Sequence, residues 1–546
     1  MRFLPTTRHF MAGALFLNLL LAANASAQSC PVSGTFNGSI GIGDPSQDGR
    51  IARVNPPSDC GGPKPYPGTV DNVPRRFDQY NFTNSSSAPA CIRVTINPSG
   101  CGGNEIFSAA YLGSFNPADV SQNYLGDSGD TPPGQTLSYS FNVPAGANFV
   151  VVVHEINAGA GCAAYTLSLD CGTPGAGAGQ VLISEFRLSG PGPLMLGDPR
   201  DEFIDLYNNT DAPILVGGYS IRAHDPAFGD FEFPIPPGTT IPARGHLLIG
   251  DSAGYSLPSY ATLDIDTVNF FDGDVFIDNE GFQLIGPPGN NVVVDSVGFV
   301  GGGNAAQYVE GTGLTRRSST PAVQYSYVRK MCDFVQGVGC TTPGTPKDTN
   351  NNAADFLLVS VTAENFAEAG PMMLGAPGPE NRASPRVRNA TIPLVLLDPT
   401  KPASSEPNRV RTFTPVPNGP LGTLNIQRRV VNNTGGLVTR LRFRVVEITT
   451  LNGPGYTNPG QADIRVLDST GVVTRDDGTV AATTLATTVE EPPVQPNGGG
   501  YNTTITVGKV TSSTPIPPGG TLDISIRCGI VRGGLFRILV NVEALP

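Results

Sequence analysis

Apolar and polar residues alternate with a period of two along most of this chain, in short runs closed by Gly, Pro, Asn or Asp. That period belongs to strands with one buried face. The early runs are CIRVTI, IFSAAYLG, LSYSFNVPAG, NFVVVVHEI and AAYTLSLDC. A middle set, VLISEFRLSG, DEFIDLYNNTDAPILVGGYSIR, IPARGHLLIG and EGFQLIGPPGNNVVVDSVGF, follows from Val181 to Phe299. A last set holds TLNIQRRVVNN, TRLRFRVVEIT, ADIRVLD, NTTITVGKV, GTLDISIRCGIV and FRILVNVEAL. Good helix-forming stretches are almost absent. The pattern predicts an all-β chain of three tandem β-sandwiches.

Composition supports turn-rich β structure. The 546 residues include 67 glycines and 51 prolines, against a combined average usage of about 12%. No long segment loses its apolar alternation, so disorder is not expected.

The first residues read as a secretory signal over 1–27. Arg2 and Arg8 precede an apolar run from Met11 to Ala23, and Ala25-Ser26-Ala27 gives a small-x-small cleavage site. The mature chain is then expected to begin at Gln28 and to be secreted, periplasmic or held at the cell surface. No second apolar stretch is long enough to span a bilayer, and FRILVNVEALP at the carboxy end has no sorting-anchor pattern. A transmembrane anchor is therefore not expected.

The expected layout is a disulfide-rich sandwich over 28–172, a linker over 173–180, a middle sandwich over 181–385 and a third over 386–546. The strand order of the first resembles the jelly-roll domains of the pre-peptidase C-terminal type. The middle segment resembles the lamin-tail domain. The features that carry this are the opening LISEF, the block from Glu202 to Asn208, Gly218-Tyr219 and the late VVVDSVGF, then SYVRK, DTNNNAADF and LGAPGPEN. At Asp205 that family more usually has Glu. The resemblance implies an immunoglobulin-like sandwich in a secreted bacterial protein, a setting in which such domains can accompany nucleases and phosphatases. The last segment resembles no named family. A Pro/Gly-rich stretch from Gly375 to Pro385 reads as a hinge before it.

Six cysteines fall in the first segment: Cys30, Cys60, Cys91, Cys101, Cys162 and Cys171. In an oxidising compartment they read as three disulfides. Cys162 and Cys171 bracket an extended run of roughly 30 Å and should not pair. Cys91 and Cys101 bracket IRVTI and a turn, where pairing can be accommodated. Cys332 and Cys340 can close a small loop, and Cys528 is left as a buried free thiol.

Net charge differs by segment: −5 in the first, −14 in the middle with its linker, +5 in the last. An acidic middle domain argues against nucleic acid, whose binding draws on Lys and Arg. In the basic last segment Arg440, Arg442 and Arg444 alternate with Leu441, Phe443 and Val445, so the three guanidinium groups share one strand face. That face reads either as a binding patch for an anionic envelope polymer or an acidic neighbour, the middle domain included, or as a solvated face that discourages aggregation. The solvated face is the simpler reading.

Catalytic chemistry finds little support. Gly250-Asp251-Ser252-Ala253-Gly254 matches a serine-hydrolase elbow, but Pro258 follows where a helix is required. His154, His224 and His246 show no metal-ligand spacing; His154 reads as a strand residue with a local hydrogen bond, and the other two could meet across a sheet. No catalytic residue and no organic cofactor is assigned. Calcium is the one cation the sequence could hold. Asp348, Asn350 and Asn352 open a D-x-[DN]-x-[DN] run, although Ala353 and Val359 exclude an EF-hand. Asp272, Asp274 and Asp278, with Asp264 and Asp266, form a second acidic run.

The expectation is a secreted, non-catalytic binding or scaffold protein whose partner is a protein or a cell-envelope polymer. The alternatives are a calcium- or carbohydrate-dependent adhesion module, or an accessory of a secreted nuclease or phosphatase system.

Overall fold

The computed structural model describes residues 32–546 except 55–56, 59, 61–63, 87–88, 132–133, 172–178, 192–199, 226–228, 268–280, 287–292, 301–304, 316–321, 333–339, 341–342, 367–369 and 454–459. The signal-like segment, Cys30 and Asp272, Asp274 and Asp278 therefore lie outside the described residues. The described residues are almost entirely strand and turn, with one short α-helix, Asn352–Asp355. No helix among them is long and apolar enough to cross a membrane.

The first segment closes as two antiparallel sheets. One orders the strands Gly34–Ile40, Cys162–Cys171, Ala90–Asn97 and Leu137–Val143. The other centres on Asn148–Glu155, between Arg75–Thr83 and Ile106–Leu112. The unbroken run Phe149–Val153 is buried on both sides. Phe149, Val151 and Val153 enter the core between the sheets, while Val150 and Val152 join an outer cluster with Phe107 and Tyr111. A strand covered on both faces needs no alternation, which explains the VVVV run.

Cys60 bonds to Cys91, and Cys101 to Cys162 across 61 residues. The pairing of Cys91 with Cys101 that the sequence allowed is not what forms. The strand Ala90–Asn97 carries Cys91 about 20 Å from the turn that holds Cys101, and that turn lies beside Cys162, with 4.3 Å between the Cα atoms. Cys332 closes its small loop with Cys340, and Cys528 is buried and free.

The middle segment packs a seven-stranded sheet on a four-stranded one. The larger sheet runs Ile265–Asp266, His246–Gly250, Phe203–Asn208, Val181–Arg187, Tyr325–Arg329, Phe356–Ser360, Met373–Leu374. Ile183, Phe186, Ile204 and Leu206 face the smaller sheet across the core. The last segment is a sandwich of two five-stranded sheets. One contains Ile538–Leu545, Arg440–Ile448 and Thr504–Thr506; the other contains Leu394–Leu396, Thr423–Val431, Thr521–Arg532 and Asp463–Leu467. Arg409–Thr412 pairs with the same edge of Thr423–Val431 as Leu394–Leu396, farther along it.

These two sandwiches share core. Val328, Val359 and Met373 of the seven-stranded sheet pack in one cluster with Tyr501 and the apolar residues of the last segment. Residues 375–381, expected as part of a hinge, are buried between them instead. Backbone groups of that stretch are taken up from either side: Gly378 N donates to Glu185 Oε1 at 2.9 Å, and the Gly378 carbonyl accepts from Arg444 at 3.0 Å. A Cβ at Gly378 would lie 2.6 Å from the Arg444 guanidinium, so a larger residue there displaces that side chain from its partners.

The paired variant Cys101→Ser/Cys162→Ser should lose about 4 kcal/mol of stability, the chain entropy of a loop of this length. Urea denaturation of the first segment's transition checks this.

Candidate functional site

Three sets of polar residues sit where a sandwich would ordinarily be apolar. They are a charged layer between the middle and last segments, a carboxylate cluster beside Arg329, and an open cleft in the last sandwich.

The charged layer follows from strand alternation. Leu441, Phe443 and Val445 face the last sandwich's own core, so Arg442 and Arg444 project from the outer face of that sheet. That face docks on the seven-stranded sheet. Arg442 and Arg444 are therefore not a solvated face: their side chains are 2% exposed, and they meet the acidic middle segment, one of the neighbours the sequence allowed. Only Arg440, at the rim, stays partly exposed, 3.0 Å from Glu490. Glu543 stands directly across from Arg442 in the neighbouring strand and bridges both arginines, reaching Arg444 Nε at 2.8 Å. Glu380, from the buried stretch, also contacts both and lies 3.2 Å from Arg444.

His246 completes the layer from the middle segment. Its Nδ1 is 2.8 Å from Asp205 Oδ1 and its Nε2 3.1 Å from Glu380 Oε2. Burial opposes a charge on this ring, but the two carboxylates outweigh it and lift the imidazole from 6.5 to about 9. Burial raises Glu185 to about 7, against hydrogen bonds from Ser326 and Gly378 N. Arg444, His246 and Arg442 overcome burial at Glu380 and hold it ionised. Three cations thus face the carboxylates of Asp205, Glu380 and Glu543 in direct contact, so each group depends on the others for its solvation.

The remaining histidines do not meet. His224 lies in the four-stranded sheet, 2.8 Å from Asp230. His154 Nδ1 is 2.9 Å from the Glu155 carbonyl, and burial pushes this imidazole down to about 4. Ser252 donates to Asp266 Oδ2 at 2.5 Å and its amide to Oδ1 at 3.1 Å, which fixes the Gly250–Gly254 turn. Asp264 holds the Leu248 amide and pairs with Arg382.

Of the calcium candidates among the described residues, only Asp348 joins a carboxylate cluster. Ligand oxygens of Asp295, Glu310 and Asp348 lie within 4.8 Å of one another. Asn352 turns elsewhere: its side chain accepts from the amides of Gly298 and Glu310 and donates to the Ser296 carbonyl. Asn350 adopts a φ of 52°, its amide donating to Asp348 Oδ1 at 3.1 Å in an Asx turn. The D-x-[DN]-x-[DN] spacing therefore does not converge on one point, because its asparagines form the turn and pin neighbouring loops. Arg329 supplies positive charge, 2.5 Å from Asp295 and 3.6 Å from Asp348. Burial and the charge on Asp295 raise Glu310 to about 8.

The cleft lies on the other flank of the last sandwich. Between Leu394–Leu396 and Arg409–Thr412 the chain leaves the edge of Thr423–Val431, and there the two sheets part. A cavity of about 650 Å³ opens, walled by Ile426 and Ile526 on one sheet and Ile538, Val540 and Val542 on the other. A second cavity of about 290 Å³ adjoins it past Phe536 and Arg409. Sequence reasoning missed this site, although a signal was present. In the row Leu424, Ile426, Arg428, Val430, an arginine occupies an apolar position of the strand.

No family model matches the chain, and no curated protein does. Among solved structures, a DUF4876 family protein from Bacteroides thetaiotaomicron is similar at 14% identity and a TM-score of 0.24, over 47% of this chain and 91% of that one. A CBM35 from Cellvibrio japonicus Abf62 is similar at 10% identity and a TM-score of 0.11, over 26% of this chain and all of that one, 100%. Neither score is high enough to carry an argument about topology or function. Neither the lamin-tail nor the pre-peptidase C-terminal resemblance is matched by these comparisons.

Because the folded chain holds a proton on His246 up to about pH 9 and the unfolded one only to about 6.5, this pair's contribution is complete below pH 6.5. It is lost as pH rises toward 9, by about 2–3 kcal/mol. Urea midpoints from pH 6 to 9.5 should fall with pH in the native chain and fall less steeply in His246→Gln, where Glu185 and Glu310 still titrate in the lower part of the range. Arg444→Met, which leaves Arg442 and His246 alone to balance Glu543 and Glu380, should lose about 3 kcal/mol at pH 7.

Proposed function

We propose that the chain is an exported, non-catalytic binding protein that holds a ligand between the sheets of its C-terminal sandwich. In this reading the lamin-tail-like middle sandwich and the charged layer form a rigid mount for that site. The observation that carries it is the cleft of about 650 Å³, walled by apolar side chains and open at a sheet edge. Its size lies within the roughly 300–1,000 Å³ of small-molecule sites. The three disulfides among the described residues support an oxidising compartment outside the cytoplasm. The catalytic candidates support a binding role through their partners. Ser252 is bonded to an aspartate rather than a histidine, and His246 is buried among carboxylates of the domain interface.

The protein isolated from its producing cells without detergent should carry a small molecule in native mass spectra, and Ile426→Trp, which fills the cleft, should lose it. A protein free of any ligand that also takes up none would contradict the reading. Esterase, phosphodiesterase and nuclease panels should show no turnover. Turnover abolished by Ser252→Ala or His246→Ala would replace binding with catalysis.

A second reading is a calcium ion at Asp295, Glu310 and Asp348. What favours it is the convergence of three carboxylates together with Glu310 Oε2, which is buried and has no hydrogen-bond partner among the described residues. A hard cation there would take the place of the proton that Glu310 otherwise retains. Calcium should then raise the melting temperature and a chelator lower it. Curves that coincide with and without chelator would remove this reading.

A further inference from the structure

The charged groups of the cleft carry one sign. Arg428 projects from the inner face of its strand in the row of Leu424 and Ile426, and Arg409, registered opposite Ile426, projects from the same face. The Arg428 guanidinium donates only to carbonyl oxygens, of Gln427 at 2.7 Å and Asn408 at 3.2 Å. The Arg409 guanidinium lies 5.7 Å over the Phe536 ring. Arg411, lining the adjoining cavity, donates to the carbonyls of Leu421 at 2.6 Å and Thr423 at 3.2 Å. Among the described residues no carboxylate lies within 4.0 Å of any of the three guanidinium groups.

The contrast within one strand is direct. Arg429, on the outer face, is paired twice with Asp523, at 2.7 and 3.0 Å. Arg428 and Arg409 on the inner face have no such partner, whereas Arg537, which also lines the cleft, pairs with Glu447 at 3.1 Å. Burial, and then the neighbouring Arg409, holds Arg428 below the usual guanidinium range. Half-buried cations on an apolar wall are unfavourable unless an anion joins them. A guanidinium fork matches a carboxylate or phosphate group. Beyond the arginines the polar lining is Ser404 and Asn389, whose amide is taken up by Asn541 Oδ1 and Val542 N; the walls are otherwise Ile426, Ile526, Ile538 and Val540, which offer a sugar's hydroxyls no hydrogen bond.

Resting on the binding role argued above, we propose that the cleft takes a single-chain amphiphile with an anionic head, its alkyl chain between the sheets and its head on Arg409 and Arg428. A fatty carboxylate and a single-chain phosphate ester share that chemistry.

Calorimetric titration of the full chain with laurate, dodecyl phosphate and dodecanol, each below its aggregation concentration, tests the proposal. The anions should bind at least about tenfold more tightly than the alcohol, and the tighter anion identifies the head group. Decanoate should bind more weakly than laurate by on the order of tenfold. Arg428→Gln and Arg409→Gln should each weaken the anions about tenfold and leave dodecanol unchanged, while Arg429→Gln matches the native chain. Arg409→Gln, on a separate strand, keeps the test open should Arg428→Gln fail to fold. Dodecanol binding as tightly as laurate, or both arginine variants binding laurate normally, overturns the anionic head and leaves the binding cleft standing. Failure of all three ligands overturns both readings. A dimer in light scattering that takes no laurate makes the cleft a contact between copies and likewise overturns the proposal.

Discussion

Two guanidinium groups and three carboxylates withdrawn from water organise the carboxy-terminal two thirds of this protein. Arg442 and Arg444 lose their hydration when one sheet closes on another, and Glu380 and Glu543 replace it, while Asp205 and Glu380 do the same for His246 beside them. Such a layer is not a large source of stability, since desolvation offsets most of the attraction. It is selective, however. Any other register of the two sheets leaves a buried charge unpaired, and that penalty is several kcal/mol. The arrangement therefore fixes how the sandwiches sit, while Val328, Val359 and Met373 supply apolar contact beside it.

This constraint bears on the cleft. The inner sheet of the last sandwich is held from outside by the charged layer, so its inner face is not free to tilt and close the gap at the opposite edge. Strand Ile538–Leu545 serves both purposes: Glu543 faces the arginines, and Ile538, Val540 and Val542 wall the cavity. The period of two in a strand lets one segment carry ion pairs on one side and a ligand surface on the other.

Much of the fold was legible from alternation and turn residues. The run VVVV announced a strand covered on both sides only in retrospect, because a short apolar run does not reveal what covers it. The alternation of Arg440, Arg442 and Arg444 located a sheet face correctly, but arginine is so seldom fully buried that a solvated face was the natural expectation. Its partner Glu380 lies 62 residues away, in a Pro/Gly-rich stretch without periodicity. Nothing local marks it. The Asp348 run illustrates the opposite error, since ligand-like spacing arose from asparagines that serve turn geometry and loop anchoring. Disulfide partners followed strand length, which separates Cys91 from Cys101, and tertiary proximity, which only the fold supplies. The cleft left its trace as Arg428 in an apolar row, a local conflict of the kind that marks functional sites.

The account depends on the middle and last sandwiches behaving as one unit through their charged layer. A double-mutant cycle of Glu380→Gln and Arg442→Met, followed by urea denaturation, measures that directly. A coupling energy of about 1.5 kcal/mol or more, within a single transition spanning both sandwiches, is the expected result. Additive losses, with the two sandwiches unfolding at separate urea concentrations in the native chain, would contradict it.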